Sequence, residues 1–355
     1  MKRAIKIVLL ILFCVGYVLA QSSGQEKHAE QVYKNIQVFK GLPASQLQTV
    51  MAFMAGSLGV KCSHCHSGPF EKDDKPEKQT ARRMIRMVLD INKGNFDGTN
   101  AVTCYTCHRG QPSPSTVPSV GQNLWQSAAP ADAKSDVDLP TVDQVLDKYV
   151  GAIGGRPSLM KMTSRISKGS RVGADGVLVP EEVYQKAPAS LLIVTRYPDL
   201  VLRKGFDGVK GWARDAKGES VISEQDLAEL ERDAEFYKDV DLKRLYTRMS
   251  IRGQEKVGEQ QAYVIEAKSK NGSSERLYFD VRTGLLVRRY KEFKIAIGSF
   301  PTQTDYQDYR EVDGIKIPFT LQWSIPGRTW GRRITEVKHN LVIDDAIFNS
   351  VGIKN

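Results

Sequence analysis

Cysteine and histidine are scarce in this chain of 355 residues, with five of each. Beyond residue 20 no uncharged apolar run is long enough to span a bilayer, which excludes a further membrane-crossing helix. Lysine and arginine exceed the acidic residues by ten, yet they are spread along the chain rather than interleaved with aromatics. That distribution excludes nucleic acid as the natural partner, and leaves acidic redox proteins or an anionic membrane surface as the fitting ones. The C-terminal part has no phosphate loop and no nucleophile set beside a base. What is present is 41% hydrophobic and 26% charged residues, the balance of a folded globular protein, in a chain long enough for two domains.

Residues 1–20, MKRAIKIVLLILFCVGYVLA, begin with Lys2, Arg3 and Lys6, continue through apolar residues and end in small ones near Ala20. This is the pattern of a secretory signal cleaved around Ala20–Gln21, and the long apolar run also fits an uncleaved anchor. Either way the chain is expected to be exported, either periplasmic or held on the outer side of a membrane. Phe13 stands where a lipoprotein signal has a small residue, which argues against a lipid on Cys14. Removal of the signal leaves Cys62, Cys65, Cys104 and Cys107.

These four cysteines fall into two identical units, KCSHCH at 61–66 and TCYTCH at 103–108. Cys-x-x-Cys-His is the attachment signal for c-type haem. Two thiols reach the two vinyl groups on one porphyrin edge, and the adjacent imidazole swings under the ring to the iron. A four-thiolate zinc site would leave both histidines unexplained. A thioredoxin-like pair would need one motif in a βαβ setting, whereas the second unit runs into Pro and Gly. The expected cofactors are two covalently bound haem c, with His66 and His108 as proximal iron ligands.

A second axial ligand is scarce among histidines, since only His28, His64 and His339 remain. Methionine is not scarce upstream of each motif. Residues 45–58 read as a helix with Ser45 and Gln48 as capping box, a stripe of Leu47, Val50, Met51, Met54 and Leu58, and Gly59 as terminator. Residues 77–93 read as a second helix, with Ala81, Met84, Ile85, Val88 and Ile91 on one face. Each motif thus follows a helix bearing two methionines three apart. They are either gap-filling core residues or, one per unit, a soft ligand to iron. Arg109, Arg82 and Arg83 are candidate partners for haem propionates or solvated surface charges. Tyr105 and Phe70 are candidates for packing on haem edges.

VFKGLPASQLQTVMAFMAGSLGVKCSHCH and ARRMIRMVLDIN with VTCYTCHRG resemble the cytochrome c subunit of photosynthetic reaction centres and its non-photosynthetic relatives. The resemblance covers residues 32–115, about a quarter of the chain. It implies that Met51 serves the haem on Cys62, Cys65 and His66, and Met84 the haem on Cys104, Cys107 and His108, with Met54 and Met87 as second choices. It also implies a partner that is a redox protein or a membrane electron-transfer complex. The reaction-centre subunit carries four haems and this chain has motifs for two, so a photosynthetic partner does not follow.

Residues 111–140 are rich in Pro, Ser, Ala and Asp without periodicity and read as a linker, or as an arm anchored by Trp125. From 141 the texture changes. One helix, TVDQVLDKYVGAIGG, precedes alternating runs such as SLLIVTRY, ERLYFDV, LLVRRYKEF and IPFTLQWSI, separated by turn dipeptides including Asp175-Gly176, Asp207-Gly208 and Asp313-Gly314. A further helix is expected to start at Ser223. The predicted fold class is α+β in two domains: a small helical module at 21–110, then an antiparallel β-rich half-barrel with a few helices at 141–355. GFDGVKGWARD and REVDGIKIPFTLQW give that second part a resemblance to periplasmic lipoprotein carriers. This resemblance implies a concave face for a lipid or other hydrophobic ligand; a filled core serving as scaffold or docking domain is the competing reading.

Three functions are open at this level: a dihaem electron carrier, a dihaem peroxidase or reductase with one open iron, and a hydrophobic-ligand carrier with the haems as redox sensor. No catalytic side chain is assigned for the first.

Overall fold

In the computed structural model, residues 26–114, 139–215, 218–220, 222–269 and 272–350 are described. The predicted signal, Cys14, and the greater part of the 111–140 linker with Trp125 lie outside them. Among the described residues no helix is long and apolar enough to cross a membrane.

The N-terminal part is helical: α1 (Ala29–Val32), α2 (Leu47–Leu58), α3 (Pro76–Asn95) and α4 (Cys104–His108). The expected capping box at Ser45 and Gln48 does not form. A 3-10 turn, Ala44–Gln46, leads into α2 instead, and the backbone N–H of Ser45 donates to Glu26 Oε1 at 3.2 Å. Gly59 does end α2, with φ of 66°. Helix α3 is longer than expected at both ends. Pro76 opens it, where a missing N–H costs nothing, and Gly94 lies within it.

After the linker come α5 (Val142–Ala152) and α6 (Arg156–Met160), with Thr141 capping α5 by accepting from the Gln144 N–H at 3.2 Å. Then follow β1 (Ser164–Val172), β2 (Leu178–Lys186), β3 (Ser190–Tyr197), β4 (Leu200–Phe206), β5 (Gly211–Asp215) and β6 (Gly218–Ser220). Helix α7 (Glu224–Ala234) starts at its Ser223 cap as expected. The remaining strands are β7 (Tyr246–Val257), β8 (Gln260–Ser269), β9 (Ser274–Asp280), β10 (Leu286–Ile295), β11 (Gly298–Val312), β12 (Ile315–Ile325) and β13 (Arg328–His339). They form one 13-stranded antiparallel sheet of order β6-β5-β4-β3-β2-β1-β13-β12-β11-β10-β9-β8-β7. Two meanders are joined where β1 pairs with β13, and the sheet stays open. The α+β class holds. Asp313 and Gly314, at φ of 53° and 76°, make the tight β11–β12 turn that the Asp-Gly pair predicts.

The sheet curls round α7. Glu229 and Leu230 are neighbours on that helix, yet Glu229 bonds Arg289 on β10 while Leu230 packs in a cluster with Leu191 on β3. Five strands separate β3 from β10. In a flat sheet those two strands would be about 29 Å apart, beyond the reach of adjacent side chains. The inner face is filled by the chain itself: Val145, Leu146 and Tyr149 of α5 and Val240, Leu242 and Tyr246 pack on Ile265, Leu277, Phe279, Ile317 and Phe319.

A buried ion network ties α7 to this face. Arg289 donates to Glu275 at 2.8 and 2.9 Å and to Glu229 at 2.5 and 3.0 Å, and Lys291 donates to Glu229 at 2.9 Å. Burial alone would raise the Glu275 pKa, but the adjoining Arg289 guanidinium outweighs it and holds the carboxyl down to about 2. Glu275→Ala leaves a buried guanidinium half-paired and is expected to cost about 3–5 kcal/mol in denaturant unfolding. Glu275→Leu with Arg289→Met should recover much of that loss; equal losses for the single and double variants would refute the assignment.

At the far end of β1 and β13, Arg165 Nε donates to His339 Nε2 at 3.2 Å, and His339 Nδ1 faces Asp313 Oδ2 at 2.9 Å. This arrangement needs a neutral ring with its proton on Nδ1. Burial lowers the His339 pKa, Arg165 adds to that, and Asp313 opposes both. Unfolding lets the ring take up a proton near its ordinary pKa of about 6.5, so this contribution to stability is complete above that pH. It is lost as pH falls from there toward the folded value. His339→Gln should therefore flatten the fall in unfolding free energy between pH 7.5 and 5.5; identical slopes for parent and variant would count against it.

Candidate haem-attachment site

The two motifs fold differently. In the first, a single 3-10 turn, Cys62–His64, is followed by His66, whose N–H donates to Cys62 O at 3.1 Å. In the second, Cys104–His108 is a short α-helix capped by Thr103, whose N–H donates to Thr106 Oγ1 at 3.0 Å. In both, the backbone turn brings the paired thiols toward one side. Cys62, Cys65, Cys104 and Cys107 are all free thiols. Among the described residues no three His, Cys, Asp or Glu side chains converge as a metal site, so the cysteine pairs do not assemble the four-thiolate cage considered from sequence. Burial pushes the Cys104 thiol pKa up, and that of Cys65 likewise.

The histidines carry the most specific signals. His108 Nδ1 lies 2.9 Å from Gln111 O. A carbonyl accepts only, so Nδ1 must carry the proton, and Nε2 is left with its lone pair for a metal. His66 has a buried Nδ1 with no hydrogen-bond partner, and its ring meets Phe70 edge-on at 5.1 Å. Burial lowers its pKa, with Lys78 acting in the same direction. Phe70, 68% exposed, and Tyr105, 56% exposed, stand beside the motifs as uncovered aromatic surface.

The methionine faces differ from the expected stripes. Helix α2 buries Leu47, Val50, Phe53 and Ser57, with Met51 and Met54 half-buried at the margin. Helix α3 buries Lys78, Arg82, Ile85, Val88 and Asn92, while Met84 and Met87 are exposed. At about 100° per residue, Met84 lies about 100° from the centre of the buried face, just beyond its edge, and Met87 points nearly opposite it. The reason is polar: α3 turns two cations and an amide inward to hold the loops around the motifs. Arg82 Nη1 donates to Asp73 Oδ2 at 2.8 Å and Lys78 Nζ to Phe70 O at 2.8 Å, closing the loop after His66. Hydrogen bonds from Arg82 and Lys78 hold Asp73 far below the usual carboxylate range. Arg82 is thus engaged within the protein, whereas the side chain of Arg109 is exposed and has no ion pair or hydrogen bond among the described residues.

Sequence reasoning missed Asn92. It is 3% exposed; its Nδ2 donates to Val102 O at 2.8 Å and its Oδ1 accepts from Val102 N–H at 2.9 Å, fixing the approach to Cys104. A polar residue in register with Ile85 and Val88 was the available signal. The Gly59–Gly110 contact was also missed. Gly110 N–H donates to Ser57 O at 2.8 Å, and a Cβ on Gly59 would lie 2.1 Å from Gly110 O. The end of the second motif is therefore seated on the end of α2, three residues before Cys62.

Residues 14–145 match the family model described as photosynthetic reaction centre cytochrome C subunit. Cytochrome c-554 of Chloroflexus aurantiacus is 39% identical over 87 residues, 22% of this chain and 21% of that protein. The photosynthetic reaction center cytochrome c subunit of Rubrivivax gelatinosus is 32% identical over 128 residues, 34% of this chain and 32% of that protein. The chain thus spans about a fifth to a third of the length of these relatives. Among solved structures, a DUF1329 family protein from Desulfovibrio piger covers 59% of this chain and 97% of its own at 14% identity, with a TM-score of 0.43. A LolA superfamily protein from Nitrosomonas europaea covers 59% and 98% at 12% identity, with a TM-score of 0.41.

Gly59→Ala adds a Cβ into a carbonyl and forces α2 and the second motif apart. The expected outcome is faster amide exchange at Gly110 and a thermal midpoint lowered by several degrees, matching a loss of about 1–3 kcal/mol. Gly41→Ala, where a Cβ meets nothing within 4 Å but φ is 81°, controls for backbone strain alone.

Proposed function

We propose that this chain is an exported c-type cytochrome that passes single electrons, with two haems on the helical module at 21–110 and a β-rich docking part at 141–355. The observation that carries this reading is the pair of Cys-x-x-Cys-His units with four free thiols, one of them with its imidazole locked Nδ1-H to Gln111 O. The match of residues 14–145 to a cytochrome family supports it. Bound haem supplies a one-electron iron couple. Cys62 with Cys65, and Cys104 with Cys107, would tether the two macrocycles through thioethers, and Arg109 would be free to pair with a propionate. His66 and His108 would hold the irons through Nε2, and Met51 and Met84 would supply soft sulfur ligands. Met84 is favoured over Met87 because it lies nearer the edge of the buried face, although both are exposed. With a histidine and a methionine both offered to each iron, no position would be left for substrate, which sets this reading against a peroxidase or reductase.

Reaction centre cytochromes are named for their membrane complex, and a redox protein or membrane electron-transfer complex is the partner proposed here, outside the cytoplasm. For the β-rich part, docking is favoured over ligand carriage because the described inner face is packed with the chain's own side chains. A lipid-carrying role rests on the curvature of the sheet and on the resemblance of GFDGVKGWARD and REVDGIKIPFTLQW to lipoprotein carriers.

The test is intact mass with optical spectra of protein matured in a host competent for haem c. Two haem additions and a low-spin spectrum without rapid carbon monoxide binding are expected, and Met84→Ala should remove the sulfur-to-iron charge-transfer band of one haem only. Colourless protein overturns the reading. High-spin iron that binds peroxide would establish the enzyme instead.

A further inference from the structure

The two motif histidines are held by different means. The ring plane of His108 is fixed by the hydrogen bond from its Nδ1 to Gln111 O at 2.9 Å. His66 lacks such a bond, since its buried Nδ1 is without a hydrogen-bond partner. What meets its ring is Phe70, edge-on at a centroid distance of 5.1 Å and an interplanar angle of 84°. Phe70 is 68% exposed, so burial is not what keeps that edge in place. Its backbone is held instead. Lys78 Nζ donates to Phe70 O at 2.8 Å and to Lys72 O at 2.6 Å, and pairs with Asp73 Oδ1 at 3.0 Å. Those three acceptors match the three N–H groups of an ammonium. The Lys78 cation is buried, and its donors are spent on the loop that follows His66. Asp73 is braced in turn by Arg82 Nη1 at 2.8 Å and by Asn35 Nδ2 at 3.0 Å.

Resting on the dihaem reading above, we infer that Lys78 and Phe70 are positioning residues for His66, Lys78 fixing the loop and Phe70 the plane of the imidazole. A ligating imidazole is ordinarily oriented by an acceptor for its other ring nitrogen, as Gln111 O is for His108. In the first site an aromatic edge takes that place. Lysine suits the loop because its compact ammonium has three rotatable donors, whereas the guanidinium fork of arginine fixes its donors in one plane. Both residues act through the ring of His66.

The first arm of the test uses the unloaded full chain, with histidine and aromatic side chains selectively labelled. A nuclear Overhauser contact between the rings at positions 66 and 70 is expected; it should be lost in Lys78→Met and retained in Phe70→Tyr. The second arm uses the matured full chain, with the haem count taken from its mass. The plane of an axial imidazole sets the g anisotropy of low-spin ferric iron, so each centre gives its own electron paramagnetic resonance signal. The signal that remains when Cys104→Ser is combined with Cys107→Ser belongs to the first site. Lys78→Met and Phe70→Leu should each shift that signal and leave the other in place, while Phe70→Tyr keeps the parental values. Because Phe70 is exposed, Phe70→Leu leaves the fold intact and decides the matter alone where Lys78→Met does not fold. A first-site signal unmoved in Phe70→Leu, equal shifts of both signals, or a ring contact that survives Lys78→Met would overturn the inference while leaving the dihaem reading intact. A mass with fewer than two haems would overturn the dihaem reading, and the unloaded chain would still decide what holds His66.

Discussion

The seam between the helical module and the sheet is the interaction on which the rest of this structure depends. Phe53 and Val50 from α2 and Ile85 from α3 are buried against Ile295, Ile297 and Phe300 from one hairpin. Gly56 adds a second contact, lying so near Pro326 at the β12–β13 turn that an added Cβ would sit 2.4 Å from the proline Cβ. Burial of several large side chains is worth about 1.5–3 kcal/mol each, enough to make a small helical module rely on the sheet for its core. The module's own elements are short and separated by loops, and without this face its apolar stripe would be exposed to water.

Within the module, polar side chains do the positioning that apolar packing cannot. Asn92 satisfies both backbone groups of Val102, and Lys78 with Arg82 holds the loop after the first motif through Asp73 and the carbonyls of Phe70 and Lys72. Lys78, Arg82 and Asn92 are buried and each is hydrogen-bonded, which is the condition under which burying an amide or a cation is tolerated. The result is a pair of attachment segments fixed at their backbones while the flanking aromatic and methionine side chains stay uncovered. Such a surface fits a large flat apolar group with a charged edge.

The sheet follows the opposite economy. Its inner face is closed by α5, α7 and residues 236–245, and its charges are neutralised in place: Arg289 by Glu229 and Glu275, Arg332 by Glu181 at 2.5 Å. With the interior filled and its ions paired, what the sheet offers is its hairpin tips. Two of those tips meet the helical module, which links the architecture of the C-terminal part directly to the environment of the second motif.

Local chemistry was enough to read several features from the chain alone. The two Cys-x-x-Cys-His units, the Gly59 terminator, the Thr141 and Ser223 caps and the Asp-Gly turns each depend on residues within a few positions of one another, where sequence spacing and spatial spacing coincide. The α+β class followed because strand alternation and turn dipeptides repeat so often after residue 141. The capping box at Ser45 failed because the chain found a competing partner in Glu26, and the stripe on α3 rotated because Lys78, Arg82 and Asn92 had loop carbonyls and Asp73 to bind. Those partners are distant in sequence or lie in loops whose shape no periodicity encodes. Tertiary structure alone decided that β1 pairs with β13, that Gly110 sits on the end of α2, and that Ile297 and Phe300 are buried against Val50 and Phe53. Such pairings depend on surfaces brought together across as many as 270 residues, as between Gly56 and Pro326, and only the folded chain selects among them.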